Sequence, residues 1–168
     1  MRLFQRILCV SALTIALPAL SFAQGMNVTF GGITQDSSLP VEMTADQLSV
    51  DQNDSTAVFT GNVLIGQGEM RLAADKVRVE YETADGQPTG RIRRLLASGS
   101  VTLVSGAEAA EAQNAVYSID AGTIVMTGDV LLTQGFNALS SQKMTVNLNT
   151  GNAVMEGRVK TILRQSNN

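Results

Sequence analysis

One short phrase recurs four times along the chain: an apolar residue, any residue, Gly, any residue, Val. It reads Phe59-Thr60-Gly61-Asn62-Val63, Ala97-Ser98-Gly99-Ser100-Val101, Met126-Thr127-Gly128-Asp129-Val130 and Met155-Glu156-Gly157-Arg158-Val159. The glycines lie 38, 29 and 29 residues apart (99−61, 128−99, 157−128). A second phrase runs between the copies: Ala45-Asp46, Ala74-Asp75, Ala112-Gln113 and Ser141-Gln142. Its steps are 29, 38 and 29 residues (75−46, 113−75, 142−113). Both series fit a 29-residue unit with one nine-residue insertion (38−29) around Thr83–Arg91. A fixed period of this size marks a repeat architecture. A single unit of that kind cannot bury its own apolar face, so the units must stack.

The apolar residues alternate instead of recurring at helical spacing. Phe59, Val63 and Ile65 share a phase, as do Ala97, Val101 and Leu103, then Met126, Val130 and Leu132. Val77, Val79 and Tyr81 form another run, and Met144, Val146 and Leu148 the last clear one. Alternation over this length predicts strands with one buried face, and the frequent Val, Ile and Thr agree. Turn signals punctuate the runs at 51–55, 85–88, 120–122 and 149–152. The stretch Glu108 to Gln113 is Ala-rich and allows one helical turn at most. The repeated glycines share the phase of the buried residues, which predicts that they face inward. Glycine weakens a strand unless a bend or close approach needs the space. A bend at each copy would let the sheet curl over itself. The expected fold is all-β: an elongated, twisted jelly roll or stacked β-repeat sandwich with an open apolar groove.

The ends are read separately. Arg2 and Arg6, the apolar run Ile7 to Leu20, and Ser21-Phe22-Ala23 read as a secretory signal peptide over residues 1–23, with the mature chain starting at Gln24. A retained anchor is the alternative, although the run is short for a span of ~20 residues. Residues 24–38 read as a flexible lead, and 166–168 as a polar tail. Cys9, the one cysteine, would leave with the signal peptide, and the chain has no His. The usual zinc and thiolate sites then lack their Cys and His ligands. Removing two arginines leaves 10 basic residues (12−2) against 15 acidic ones, a net charge of −5. Nucleic-acid binding requires phosphate neutralisation, so this balance argues against it.

At this point the residues resemble a known family. Pro40-Val41-Glu42-Met43-Thr44-Ala45-Asp46 leads into Ala57-Val58-Phe59-Thr60-Gly61-Asn62-Val63, then Gln67-Gly68, then Ala73-Ala74-Asp75-Lys76-Val77. This order is similar to that of the OstA-like, or LptA, family of periplasmic lipopolysaccharide transport proteins of Gram-negative bacteria. The resemblance extends from about Leu39 to Ile162. It implies an OstA-like jelly-roll domain over 39–165. It also implies an apolar groove for lipid A acyl chains and end-to-end self-association. The implied partners are LptC-like on the inner-membrane side and LptD-like on the outer-membrane side. Val41 and Met43 match a segment that lines the family's interior.

Alternation and resemblance together nominate a lipid-lining set: Val41, Met43, Phe59, Val63, Ile65, Leu72, Val101, Leu103, Tyr117, Ile119, Met126, Val130, Leu132, Met144, Val146 and Met155. Methionine suits a mobile hydrocarbon guest because it is flexible and polarizable; ordinary core filling is the alternative. Arg91, Arg93 and Arg94 form the most basic cluster and are candidate phosphate contacts, since Arg offers paired donors. A solvated strand face is the alternative. Val41 at one end and Val159, Thr161 and Leu163 at the other are candidate docking edges. No cofactor, metal or catalytic group is expected. Gly66-Gln67-Gly68 lacks the third glycine of a dinucleotide loop, and there is no P-loop, so energy for directional transport would come from elsewhere. Three other readings stay open. They are an LptC-like domain held at the membrane, a structural or docking β-repeat module without lipid, and, weakest, an enzyme.

Overall fold

The protein is described by a computed structural model covering residues 26–29, 38–51 and 53–162. Residues 1–23, read above as a signal peptide, Leu163 and residues 166–168 lie outside the described residues. Those described form eleven strands: β1 (Met26–Thr29), β2 (Glu42–Thr44), β3 (Gln47–Asp51), β4 (Thr56–Gln67), β5 (Met70–Ala84), β6 (Gln87–Ser105), β7 (Glu108–Ser118), β8 (Thr123–Gln134), β9 (Asn137–Asn147), β10 (Asn152–Glu156) and β11 (Lys160–Ile162). They make one antiparallel sheet in the order β1-β10-β9-β8-β7-β6-β5-β4-β2, with β11 also on β9 and β3 also on β4. The architecture is all-β, as the alternation predicts. Glu108 to Gln113, read as one possible helical turn, instead opens strand β7.

A crease crosses the sheet where the two repeated phrases meet. The register shifts between Thr60 and Val63, Ser98 and Val101, and Thr127 and Val130. In each case two residues of the Gly-x pair oppose one residue of the neighbour, which is a β-bulge. Gly61 has φ 81° and Asn62 φ 47°, and the pairs at 99–100, 128–129 and 157–158 repeat these angles closely. Opposite them stand Asp46, Asp75, Gln113 and Gln142. A Cβ on Gly128 would lie 2.8 Å from Gln113 Cβ, and one on Gly157 2.8 Å from Gln142 Oε1. The glycines therefore do not face the interior, as their sequence phase suggested. The exposed Asp or Gln of the next strand occupies the place of their missing side chain. Backbone N–H groups of Asp46 and Gln142 donate to the carbonyls of Gly61 and Gly157, at 2.9 and 3.0 Å. Asn62 Nδ2 donates to Asp46 Oδ2, and Gln113 Nε2 to Asp129 Oδ2, each at 2.9 Å. The two markers that keep one period in the sequence are thus the two halves of one contact.

The crease divides the sheet into two leaves that fold face to face. Leaf one holds β2, β11 and residues 63–67, 70–74, 101–105, 108–112, 130–134 and 137–141. Leaf two holds β1, β3, β10 and residues 56–60, 76–84, 87–98, 114–118, 123–127 and 143–147. Buried residues of both leaves join one core, including Ile65, Leu72, Leu103 and Leu132 from the first and Val79, Leu95, Met126 and Met144 from the second. Tyr117 of leaf two donates its hydroxyl to Gln67 Oε1 of leaf one at 2.8 Å, across the gap. At Asp75-Lys76, Gln113-Asn114 and Gln142-Lys143 both residues are exposed. Strict alternation fails there because the strand turns the corner.

The insertion lengthens the β5–β6 hairpin, with Thr83 opposite Pro88 and Ala84 opposite Gln87. It adds register shifts between Glu80, Tyr81 and Thr83, and leaves the pairing from Lys76 to Glu80 regular. Residues 26–29, expected in a flexible lead, form β1 on β10.

Candidate functional site

Register carries the inner face of leaf two across the sheet in two unbroken rows. The first runs Leu48–Phe59–Val77–Ala97–Ala115–Met126–Met144–Met155–Met26. The second runs Val50–Ala57–Val79–Leu95–Tyr117–Ile124–Val146–Ala153, and the backbone of Val28 pairs with Ala153. Leaf one contributes a facing row, Met43–Ile65–Leu72–Leu103–Ala110–Leu132–Leu139–Thr161. Stepping from strand to strand, both leaf-two rows are apolar throughout, and the leaf-one row is apolar up to Thr161 at its β11 end. The interior is a strip of hydrocarbon running perpendicular to the strands, from the β2–β3 end to the β10–β11 end.

Of the sixteen nominated lining residues, Val63, Ile65, Leu72, Val101, Leu103, Tyr117, Met126, Val130, Leu132, Met144, Val146 and Met155 lie in the buried core. Val41, Met43, Phe59 and Ile119 pack against it half-buried. Further inner-face residues, among them Met70, Val79, Leu95, Ile124 and Leu139, are equally buried. They were legible by the same alternation. Towards the β10 end, Met144, Val146, Ala153 and Met155 are closed off at 0% exposure. At the other end Leu48 and Val50 occupy inner-row positions yet are 56% and 62% exposed. The strip is open at the β3 end.

The outer rim of leaf one is polar. Gln67 and Ser105 are buried, and Gln134 Nε2 donates to Glu108 Oε1 at 3.0 Å. Gln67 Nε2 donates to the Leu39 carbonyl at 2.9 Å. Burial pushes the Tyr117 hydroxyl pKa up from 10.0, and its bond to Gln67 offsets part of that. Alternation alone missed this rim, since Gln67 and Ser105 hold inward phases with polar side chains.

The arginine cluster lies on and beside the lengthened hairpin. Arg94 Nε and Nη2 donate to Glu80 Oε2 at 2.9 and 2.7 Å, and Arg93 Nη2 donates to the same oxygen at 2.9 Å. Arg91 pairs with Glu82 at 3.4 Å and Asp120 at 3.3 Å. Partial burial alone would raise the Glu80 pKa. The hydrogen bond from Arg94 and the charges of Arg94, Arg93 and Arg78 outweigh it and hold the carboxyl below its usual 4.5. All three guanidinium groups are thus engaged by carboxylates.

Of the nominated edges, Val41 lies just before β2 and Val159 just before β11, while Thr161 is within β11. The described residues hold two margins, β2 with β3 and β11 with β10, the latter extended by β1.

Residues 42–152 match the family model described as LptA/(LptD N-terminal domain) LPS transport protein. An uncharacterized protein of Rhizobium meliloti (strain 1021) is 31% identical over 123 residues, 71% of this chain and 66% of that protein. Lipopolysaccharide export system protein LptA of Escherichia coli (strain K12) is 33% identical over 73 residues, 44% of this chain and 34% of LptA. The chain spans just under two thirds, or less, of these curated relatives. The crystal structure of LptH, the LptA-homologous periplasmic component of the lipopolysaccharide transport device of Pseudomonas aeruginosa, superposes with TM-score 0.67 at 14% identity. That match covers 78% of this chain and 99% of LptH. At that identity the likeness is one of fold, an LptA-like β-jelly roll.

Proposed function

The chain belongs to the family of LptA and LptD N-terminal domain lipopolysaccharide transport proteins, and on that premise we propose that it is a periplasmic lipid-transfer bridge, not an enzyme. It holds the acyl chains of lipopolysaccharide between its two leaves and passes them along the strip. One observation carries this reading: the inner rows are apolar from strand to strand and open at the β3 end, where Leu48 and Val50 are exposed. Sheltering each CH₂ group from water is worth about 0.8 kcal/mol, so a chain of acyl length needs continuous cover. The flexible side chains of Met126, Met144 and Met155 can yield to such a guest. Transfer between similar strips exchanges like contacts and is nearly neutral, so direction comes from outside this protein.

The two margins support end-to-end assembly. Each can add a strand by backbone pairing, which would continue the strip into a second copy, an LptC-like partner on one side and an LptD-like partner on the other. Phosphate contacts at Arg91, Arg93 and Arg94 enter this reading only if phosphate exchanges with Glu80, Glu82 and Asp120. Met43→Glu and Phe59→Glu each place a charge against the strip near its open end. Both variants are expected to fold and to lose lipopolysaccharide loading, read by lipid analysis and native mass spectrometry after incubation with lipopolysaccharide. Wild-type loading in both variants would overturn the strip as the binding site.

A further inference from the structure

We propose that β1 is a built-in stand-in for strand β3 of a second copy, covering the β10 margin until that copy displaces it. The inference rests on the end-to-end assembly just described. Four observations carry it.

The first is sequence pattern. β1 reads Met26-Asn27-Val28-Thr29 and β3 contains Leu48-Ser49-Val50-Asp51, the same alternation of apolar and polar residues. The second is register. Met26 pairs with Met155 and Val28 with Ala153, so their backbone register continues the same two rows that Leu48 and Val50 begin at the opposite margin. The third is direction. β3 runs from the crease outward, and β1 does too, with Met26 beside the crease-side Met155 and Thr29 beside the outer Asn152. A β3 strand arriving crease to crease would meet β10 antiparallel, as β1 does.

The fourth is the shape of the ends. At the β4 margin both leaves stop level, one strand past β4, with β2 in leaf one and β3 in leaf two. At the β9 margin β11 and β10 would also stop level, but β1 makes leaf two one strand longer, by about 4.8 Å. Level ends meet in both leaves at once; a stepped end does not. Met26 also bridges the leaves, accepting from Thr161 Oγ1 at its sulfur at 3.7 Å. With β1 in place, Met155 and Ala153 of β10 are fully buried, and Met26, 42% exposed, takes the margin position that Leu48 holds at the other end.

Two variants of the full exported chain test this, followed by analytical ultracentrifugation over a concentration series. In Met26→Cys/Met155→Cys a disulfide between register partners locks β1 shut, which the usual Cα separation in an antiparallel pair allows. In Asn27→Pro/Val28→Pro, successive N–H groups are removed, so the ladder to β10 is broken whichever one donates. The expected result is that the oxidised lock stays monomeric and associates on reduction. The proline variant should associate about tenfold more tightly than wild type, as expected if only about a tenth of wild-type molecules have β1 released. Hydrogen exchange at 152–156 should be slow in wild-type monomer and fast in the proline variant. Equal association of wild type, lock and proline variant would overturn the role of β1 and leave end-to-end assembly standing. Absence of association in all of them would overturn assembly itself, and the inference with it. Fast exchange at 152–156 in wild-type monomer would show that β1 does not cover the margin.

Discussion

At the scale of single residues, the crease glycines connect sequence to shape most directly. Gly128 has φ 84°, and its missing side chain makes room for Gln113. Any L-residue there meets both a disfavoured backbone conformation and a contact at 2.8 Å. Gly128→Ala is therefore expected to destabilise the protein by roughly 1–3 kcal/mol, read as a lower urea midpoint with unchanged m. Pairing it with Gln113→Ala should recover only part of the loss, because the backbone strain remains. No loss in the single variant would show that the bulge is not what folds the sheet. The spacing of these glycines was legible in the sequence, but their orientation was not. Alternation counts residues along one strand, and a bulge is defined by the strand beside it.

At the scale of elements, the lengthened β5–β6 hairpin is tied down by Glu80, on which Arg93 and Arg94 converge. A carboxylate held below 4.5 adds stability that is fully present above its unfolded pKa. That contribution is lost as the pH falls through the lowered folded value. Glu80→Gln should cost about 1 kcal/mol at neutral pH. The difference in melting temperature between wild type and Glu80→Gln should be flat above about pH 5 and shrink below about pH 4.5. A difference that stays constant down to pH 3 or so would assign the loss to packing and not to charge. The insertion itself was visible as a broken period, and its turn residues Asp85-Gly86 mark its tip. That it extends a hairpin and leaves the neighbouring register from Lys76 to Glu80 intact came from the strand pairing. The Arg cluster was equally visible, but its carboxylate partners come from other strands and turns.

At the scale of the whole molecule, the two ends decide how copies would join. Thr161 ends the inner row of leaf one, on β11, beyond which no strand of that leaf follows among the described residues. Thr161→Pro should disturb that edge and shift the size distribution toward smaller species in size-exclusion chromatography; unchanged oligomers would place the joint elsewhere. The chain by itself determined the class of fold, the 29-residue unit and most of the buried face, because hydrophobic alternation and a fixed period are local properties written into consecutive residues. The family followed from the order of its motifs. Tertiary structure alone decided that the repeats share one creased sheet, that Asp and Gln fill the space of the glycines that follow them across the crease, and that β1 leaves the amino-terminal margin for the opposite one. Each of these depends on which residues meet across the sheet, and a period along the chain records spacing without saying which strands pair or which way a side chain points.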